Sequence, residues 1–594
     1  MSEFLLHLLK TVWRERVEWF WQIWLTMTVV AAIGVAWFVG LASATLLPAQ
    51  TAADVPLVRR RRYQWSFKDV SALIMLALLL VGYIVLTLKW ENFANWDESY
   101  FTLFTLKGRN LPPTIWRGNG RFFPLGHQEF NLIRHFTSSV AGYHVLPLAQ
   151  LLIVSIILIG LDDELSIAAR ASLTSFVLLL PGFVTSFTGL VFPERNLLFW
   201  FAWLALSVKR FEQTQSASWA VAAALCAQFM IYYKETAFLL LTCFAIARLV
   251  LRCRRAHREG WDFSRLRDRE SRLDFCFISL SVLFLLFYTA VMLPQMRTQY
   301  LEQLSFTFPS ILIYYLQVDW LVWLFLVVLL RRSYLIFRRR VTPWLFWDGL
   351  AFGGAVYFAS YLVLRLANAY YLAPVDLIAV MYIGRLVIFS WEKMRLPGRA
   401  AALALALLVL LQGLTYSGFR VFERKNIIHA KEAIADLIVA RYQTDPGGAP
   451  RLFFPYANIY SITELAPYLM YRGVSVESAS AGPVTSGGVV IEIMDAGRDG
   501  KTAPCVPYRS FVCHARKSPA PGDLVIELPD DFESLADISP YRSGGELLLS
   551  YEPRPRIPQW MFPFVRYLRP ASVFFYARKE LPDRWLHASV IRWK

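Results

Sequence analysis

Four short polar stretches interrupt an otherwise strongly apolar chain, and their residue types suit one kind of chemistry. Asn95-Trp96-Asp97-Glu98-Ser99-Tyr100 puts two adjacent carboxylates directly after an apolar run. Phe192-Pro193-Glu194-Arg195-Asn196, Tyr232-Tyr233-Lys234-Glu235 and Asn368-Ala369-Tyr370-Tyr371-Leu372-Ala373-Pro374 each stand where one apolar run gives way to the next. Carboxylates can accept a proton from an attacking hydroxyl, and ammonium or guanidinium groups can hold phosphate oxygens. Singly, each stretch has a plain reading: acids cap a helix N-terminus, a lysine snorkels, and tyrosines form an interfacial belt. Ionisable groups at a membrane boundary are nevertheless costly to desolvate. Their coincidence on one side of a membrane favours a shared site.

The elements that must position these groups follow from composition. The 594 residues are 56% hydrophobic, 15% aromatic and 18% charged, with mean hydropathy +0.42. Soluble domains run about 45–50% apolar and about 25% charged. That excludes a soluble enzyme, a disordered chain and a small disulfide scaffold. The net charge of +17, from 61 basic and 44 acidic residues, does not form a basic face of the kind that binds nucleic acid. The basic residues crowd into short stretches between apolar runs, as the positive-inside rule describes for polytopic membrane proteins.

A membrane span needs roughly 20 mostly apolar residues. Such runs lie near 71–90, 141–161, 166–191, 195–208, 217–233, 235–251, 275–293, 312–330, 346–366, 372–391 and 400–417, so about 11 spans, or 12 with one in the N-terminal segment, are expected. Arg59 to Arg62 put the start of the first run in the cytoplasm. Alternation then leaves every dense basic cluster on that side and gives the opposite side a long first loop, 91–140. Residues 70–417 read as the membrane module. Residues 1–69 read as an interfacial or extra membrane segment of open topology. In 418–594 apolar runs shorten and Pro, Gly and Ser rise. A helical pattern over 424–443 and strand-like runs at 451–455, 488–494, 523–528 and 545–551 indicate an extracytoplasmic α/β domain. Cys505 and Cys513 lie in it and would pair if that side is oxidising; two free thiols are the alternative.

At this point the chain resembles the GT-C superfamily of integral-membrane glycosyltransferases, especially its aminoarabinose-transferase and protein O-mannosyltransferase branch. Asp97-Glu98 matches the acidic pair of that family's first outer loop, and Gly120 to Gly126 its Gly/Pro-rich remainder. Pro193-Glu194 matches a proline-acid step at the fourth span, and Lys234 the lysine of a Thr-Lys-Gly motif. Tyr371-Leu372-Ala373-Pro374 matches an Arg-Tyr-Leu-x-Pro-like motif without its arginine, since Asn368 and Ala369 stand there. The resemblance covers about 70–390.

The resemblance implies inverting transfer of a sugar from a polyprenyl-phosphate donor to a hydroxyl of an extracytoplasmic glycan, lipid or protein acceptor. The expected setting is the bacterial inner membrane, with the C-terminal domain periplasmic. Asp97 is the expected base and Glu98 its helper. Lys234, with Arg121, Arg195 and Arg297, is expected at the donor phosphate. Glu194, His127, Glu129, Tyr370 and Tyr371 are expected to orient these groups or touch substrate. His127 beside Glu129 lacks a second spaced ligand, so no obligatory metal or other cofactor is expected; a divalent cation stays compatible. Two other classes use different residues. A transporter or flippase would rely on intramembrane charges, with Asp319, Asp348, Asp376 and Arg385 as candidates. A non-catalytic scaffold would rely on 418–594.

Overall fold

The structure, a computed structural model, describes residues 26, 28–30, 33–34, 65–90, 105–106, 108, 110–116, 120–256, 266–295, 307–444, 450–455, 459–476, 489–494, 513–516, 518–528, 539–552 and 588–594. Asp97, Glu98, Arg297 and Cys505 lie outside them, as does most of 1–69. Contacts divide the chain into two compact units. One comprises 1–84, 112–128 and 145–417; the other comprises 85–111, 129–144 and 418–594.

The first unit is helical. In chain order it holds all or part of α1 (Phe67–Trp90), the hairpin β1 (Thr114–Trp116) and β2 (Arg121–Phe123), α2 (Val140–Leu161), α3 (Ile167–Leu178) and α4 (Pro181–Thr188). There follow α5 (Pro193–Thr214), α6 (Ala217–Tyr233), α7 (Ala237–Ala256), α8 (Arg269–Phe287), α9 (Phe308–Val318), α10 (Trp320–Phe337), α11 (Leu345–Val363), α12 (Ala373–Ser390) and α13 (Leu396–Thr444). Each apolar run read from the sequence lies on helix. Among the described residues six helices are long and apolar enough to cross a membrane, or up to seven if one bent pair is a single span. This is the architecture of a helical membrane protein. Leu78, Ile156, Val327, Leu330 and Leu407 face outward, which costs in water and is unremarkable against lipid tails.

Two expected spans are broken rather than straight. The run 166–191 bends by 71° between α3 and α4. Pro181 opens α4 with no side-chain cap before it, and a proline suits a first helical position because its missing N–H would be unpaired there. The run 312–330 divides at Asp319, whose carboxylate accepts from the N–H of Val322 at 3.2 Å and caps α10. In the other direction, 400–417 and 424–443 join in one helix, α13, of 49 residues.

Small residues set the helix spacing where it is closest. A Cβ on Gly349 of α11 would lie 2.6 Å from Arg248 Cγ of α7, and one on Gly353 would lie 2.7 Å from the Leu240 carbonyl. The two glycines stand one turn apart, the small-xxx-small spacing that lets membrane helices approach.

The second unit contains a six-stranded sheet. Its strands are β3 (Arg451–Phe454), β4 (Val490–Met494), β5 (Cys513–Arg516), β6 (Leu524–Glu527), β7 (Gly545–Tyr551) and β8 (Ala588–Trp593), in the order β5-β4-β3-β6-β8-β7. The first four are parallel and the last two antiparallel. Leu452, Phe453, Ile491, Val525 and Ile591 are buried on them. The four short runs read as strands are strands. β5 and β8 were not read, because neither shows a sustained apolar or alternating pattern before its partners are known.

Candidate functional site

Helix ends of the first unit gather three of the four polar stretches; the fourth, 95–100, lies outside the described residues. Glu194 and Arg195 occupy the first turn of α5 behind Pro193, and both are fully buried. α6 ends at Tyr233 with Lys234 as its extended C-cap. Glu235 and Thr236 then turn the chain into α7. A short 3-10 turn, Ala369–Leu372, carries Tyr370 and Tyr371 directly into α12. The β1–β2 hairpin supplies Arg121, and a tight turn after it supplies His127. His127 adopts φ 65°, a left-handed conformation uncommon outside glycine. Gly126 before it has no room for a side chain, because a Cβ would lie 2.3 Å from the Phe123 ring.

Two ion pairs tie these elements together. Lys234 Nζ lies 2.6 Å from Glu194 Oε1, with both side chains buried. Arg121 Nε donates to Glu235 Oε1 at 2.5 Å. Arg195 donates through Nε to Gln150 Oε1 at 2.8 Å and through Nη1 to the carbonyls of Gly189 and Leu190. Gln150 in turn donates to Asn196 at 2.8 Å. Side-chain amides and carbonyls thus fix the guanidinium in place.

Aromatic rings complete the surroundings. Lys234 Nζ stands 4.8 Å from the centroid of Tyr371 and 5.9 Å from that of Phe123, and Arg121 lies 4.9 Å over Phe123. The negative ring faces attract cations without neutralising them. Tyr371 stacks on Tyr361 at 4.7 Å. Hydroxyls then run from Tyr357 to Tyr361 at 3.0 Å and from Tyr361 to Thr236 at 2.9 Å. Tyr370 packs on Phe192 at 4.6 Å.

The electrostatics follow from burial and neighbours. Burial pushes the His127 imidazole down to about 3, and the charges of Arg195, Lys234 and Arg121 push the same way. His127 is therefore neutral at physiological pH. Burial alone would raise the Glu235 carboxyl; the cations Arg121 and Lys234 outweigh it and hold Glu235 below the ordinary range, so it stays ionised.

Arg121, His127, Glu194, Arg195, Lys234, Tyr370 and Tyr371 thus belong to one described cluster. Glu129 opens a short helix, Glu129–Ile133, assigned to the second unit. Asp97, Glu98 and Arg297 lie outside the described residues. Glu235 stood in one of the four polar stretches, a carboxylate next to a lysine between two apolar runs, but was given no role. Gln150 and Tyr361 on their helices and Phe123 on β2 were not singled out, being ordinary residues until packing reveals their partners. Among the described residues no three of His, Cys, Asp or Glu are grouped to hold a metal ion.

The intramembrane charges proposed for a transport path are engaged separately. Arg385 pairs with Asp162 and Glu164, and Asp348 takes a two-pronged Arg332 at 2.6 and 3.0 Å plus the Tyr382 hydroxyl at 2.7 Å. Asp376 and Arg385 share one helix, α12. No family model and no curated protein matches this chain.

Proposed function

We propose that the chain is an inverting integral-membrane glycosyltransferase of the GT-C type, transferring a sugar from a polyprenyl-phosphate donor to a hydroxyl of an extracytoplasmic glycan, lipid or protein. The observation that carries this reading is the cluster of Lys234 and Arg195, buried at helix ends, with Arg121, part-buried on the β1–β2 hairpin, braced by Glu194, Gln150 and Glu235. A departing phosphate develops negative charge, and preorganised cations in a water-poor site stabilise such charge far better than water does. Phosphate is a good leaving group, so a second carboxylic acid for its protonation, needed in glycoside hydrolysis, is not required. A neutral His127 fits that division of labour. It can donate or accept one hydrogen bond without adding to the charge.

On this reading Asp97 takes the acceptor proton as the hydroxyl attacks C1 from the side opposite the phosphate, with Glu98 orienting the acceptor. The phosphate displaces Glu194 from Lys234 as it enters, and Arg121 and Arg297 approach it from their loops. Tyr370 and Tyr371 offer ring faces to the sugar or the prenyl chain. The full chain then has eleven or twelve spans in the bacterial inner membrane with 418–594 on the periplasmic side. No cofactor is obligatory.

The test is a mass comparison of envelope glycans from cells with the intact gene, without it, and with Asp97→Asn at equal membrane abundance. The reading predicts that the same sugar mass disappears in the second and third. Unchanged glycans in Asp97→Asn would remove the catalytic assignment.

A further inference from the structure

Three helix irregularities meet around a pair of acids that the transferase reading does not use. Asp319 occupies the break between α9 and α10 and is 6% exposed; Asp376 sits in the first turn of α12 and is 1% exposed. The first turn of α4, just after the bend from α3, packs on the second acid. A Cβ on Gly182 would lie 2.9 Å from Asp376 Oδ2 and 2.9 Å from the Ala373 nitrogen, so only glycine permits the approach.

The two carboxyl side chains lie within interaction reach of each other. As ionised groups neither could donate, and both buried oxygens of Asp376 are without a described hydrogen-bond partner. Asp319 spends one oxygen on the Val322 N–H. Neither acid interacts with a described basic side chain. Tyr315 of α9 faces Asp319 and gives its hydroxyl to the Leu366 carbonyl. From α4 the hydroxyls of Thr185 and Ser186, one turn beyond Gly182, are buried without a described partner. Two carboxylates in contact cannot both ionise without compensation, whereas one negative charge suits the helix N-termini at Asp319 and Asp376.

We propose that Asp319 and Asp376 form a proton-binding site that holds one proton between them in the folded protein. One acid supplies the O–H, the other accepts it, and the pair keeps a single negative charge. The proton ties the cap of α10 to the first turn of α12. That turn follows directly on Tyr370 and Tyr371, so its loss would loosen the segment that sets those rings. The site stands independently of any sugar-transfer activity.

The experiment uses the detergent-solubilised full chain. At neutral pH, when accessible carboxyls are ionised, the infrared spectrum should contain the C=O stretch of a protonated acid. Either Asp376→Asn or Asp319→Asn alone should abolish that band, because each removes one half of the shared pair. The melting temperature of the wild-type chain should fall as pH rises from neutral to mildly alkaline, above the range in which free histidine titrates, where the proton departs and two charges face each other. In Asp376→Asn, whose amide donates permanently, that fall should vanish. If one variant fails to fold, the other variant and the wild-type infrared pH titration decide alone. A band that survives either substitution would overturn the proposal, as would a wild-type melting temperature that is independent of pH between neutral and mildly alkaline conditions. Stabilisation by sodium chloride over choline chloride, lost in Asp376→Asn, would also overturn it by making the occupant a metal cation.

Discussion

The helix bundle of the first unit buries ionic groups at both ends of the same helices, and the two ends are built differently. α5 begins with Glu194 and Arg195 and ends with Glu212; Lys234 and Glu235 precede α7, and Arg248 and Arg252 lie in its later turns. Glu235 and Arg248 are separated by roughly 20 Å along the axis at 1.5 Å per residue. At the Arg248 end the charges interlock among helices. Arg248 meets Asp274 at 3.1 Å and Glu212 at 3.0 Å, while Arg252 meets Glu270 at 2.9 Å and Asp274 at 3.7 Å. These are helix-to-helix ties, with Gly349 leaving the space that the Arg248 stem fills. At the Lys234 end the groups stand on loops and helix termini, over aromatic rings, beside a histidine held neutral. Buried ion pairs are weak evidence for stability because desolvation offsets attraction. What distinguishes the two ends is therefore placement: one fastens helices, and the other presents cations where chain direction changes.

The sharpest way to break this comparison is Lys234→Ala. Loss of a preorganised charge-stabilising donor costs on the order of 100- to 1,000-fold in rate, and sugar transfer per folded molecule should fall by that much. The stranded Glu194 should also cost about 3–5 kcal/mol of stability, visible as a lower melting temperature. Arg248→Ala should cost a similar amount of stability at the other end, since it takes the nearer cation from Asp274 and the ion-pair partner from Glu212. Transfer per folded molecule should there be unchanged. Equal loss of activity in both variants would erase the distinction.

A smaller effect sharpens it. Free histidine titrates near pH 6.5, while burial and then Arg195, Lys234 and Arg121 hold folded His127 down to about 3. The unfolded chain therefore takes up this proton first as pH falls. The contribution of neutral His127 to stability is complete above about pH 6.5 and is lost by about 1.4 kcal/mol per pH unit below it. His127→Gln should remove one proton's worth of that slope, read from melting temperature against pH. An unaltered slope would mean that His127 is solvated or charged in the fold.

Much of this architecture is legible in sequence because lipid imposes long apolar runs, and each of those runs lies on helix. The breaks were harder. Asp319 is the single charged residue inside the run 312–330, and capping by it becomes visible only once α10 starts at Trp320. The bend at Pro181 was marked by its Pro-Gly step, although the angle was not. In the candidate site, Glu194 and Lys234 could be nominated together because alternation of the spans brings their loops to one side. Arg121 could be nominated too, but its pairing with Glu235 could not, since nothing local distinguishes a braced carboxylate from a solvated one. The Arg332–Asp348 and Arg385–Asp162 ties were invisible for a plainer reason. A charge pair between distant helices depends on helix rotation, which an almost uniformly apolar span does not encode.

The account is tested most directly by envelope-glycan mass analysis of two double variants brought to equal membrane abundance. Lys234→Met with Glu194→Leu removes both charges at one end, and Arg248→Met with Asp274→Leu does so at the other, each without stranding the partner within its pair. The account predicts that the transferred sugar disappears in the first and remains in the second. Retention of the sugar without Lys234 and Glu194 would contradict it.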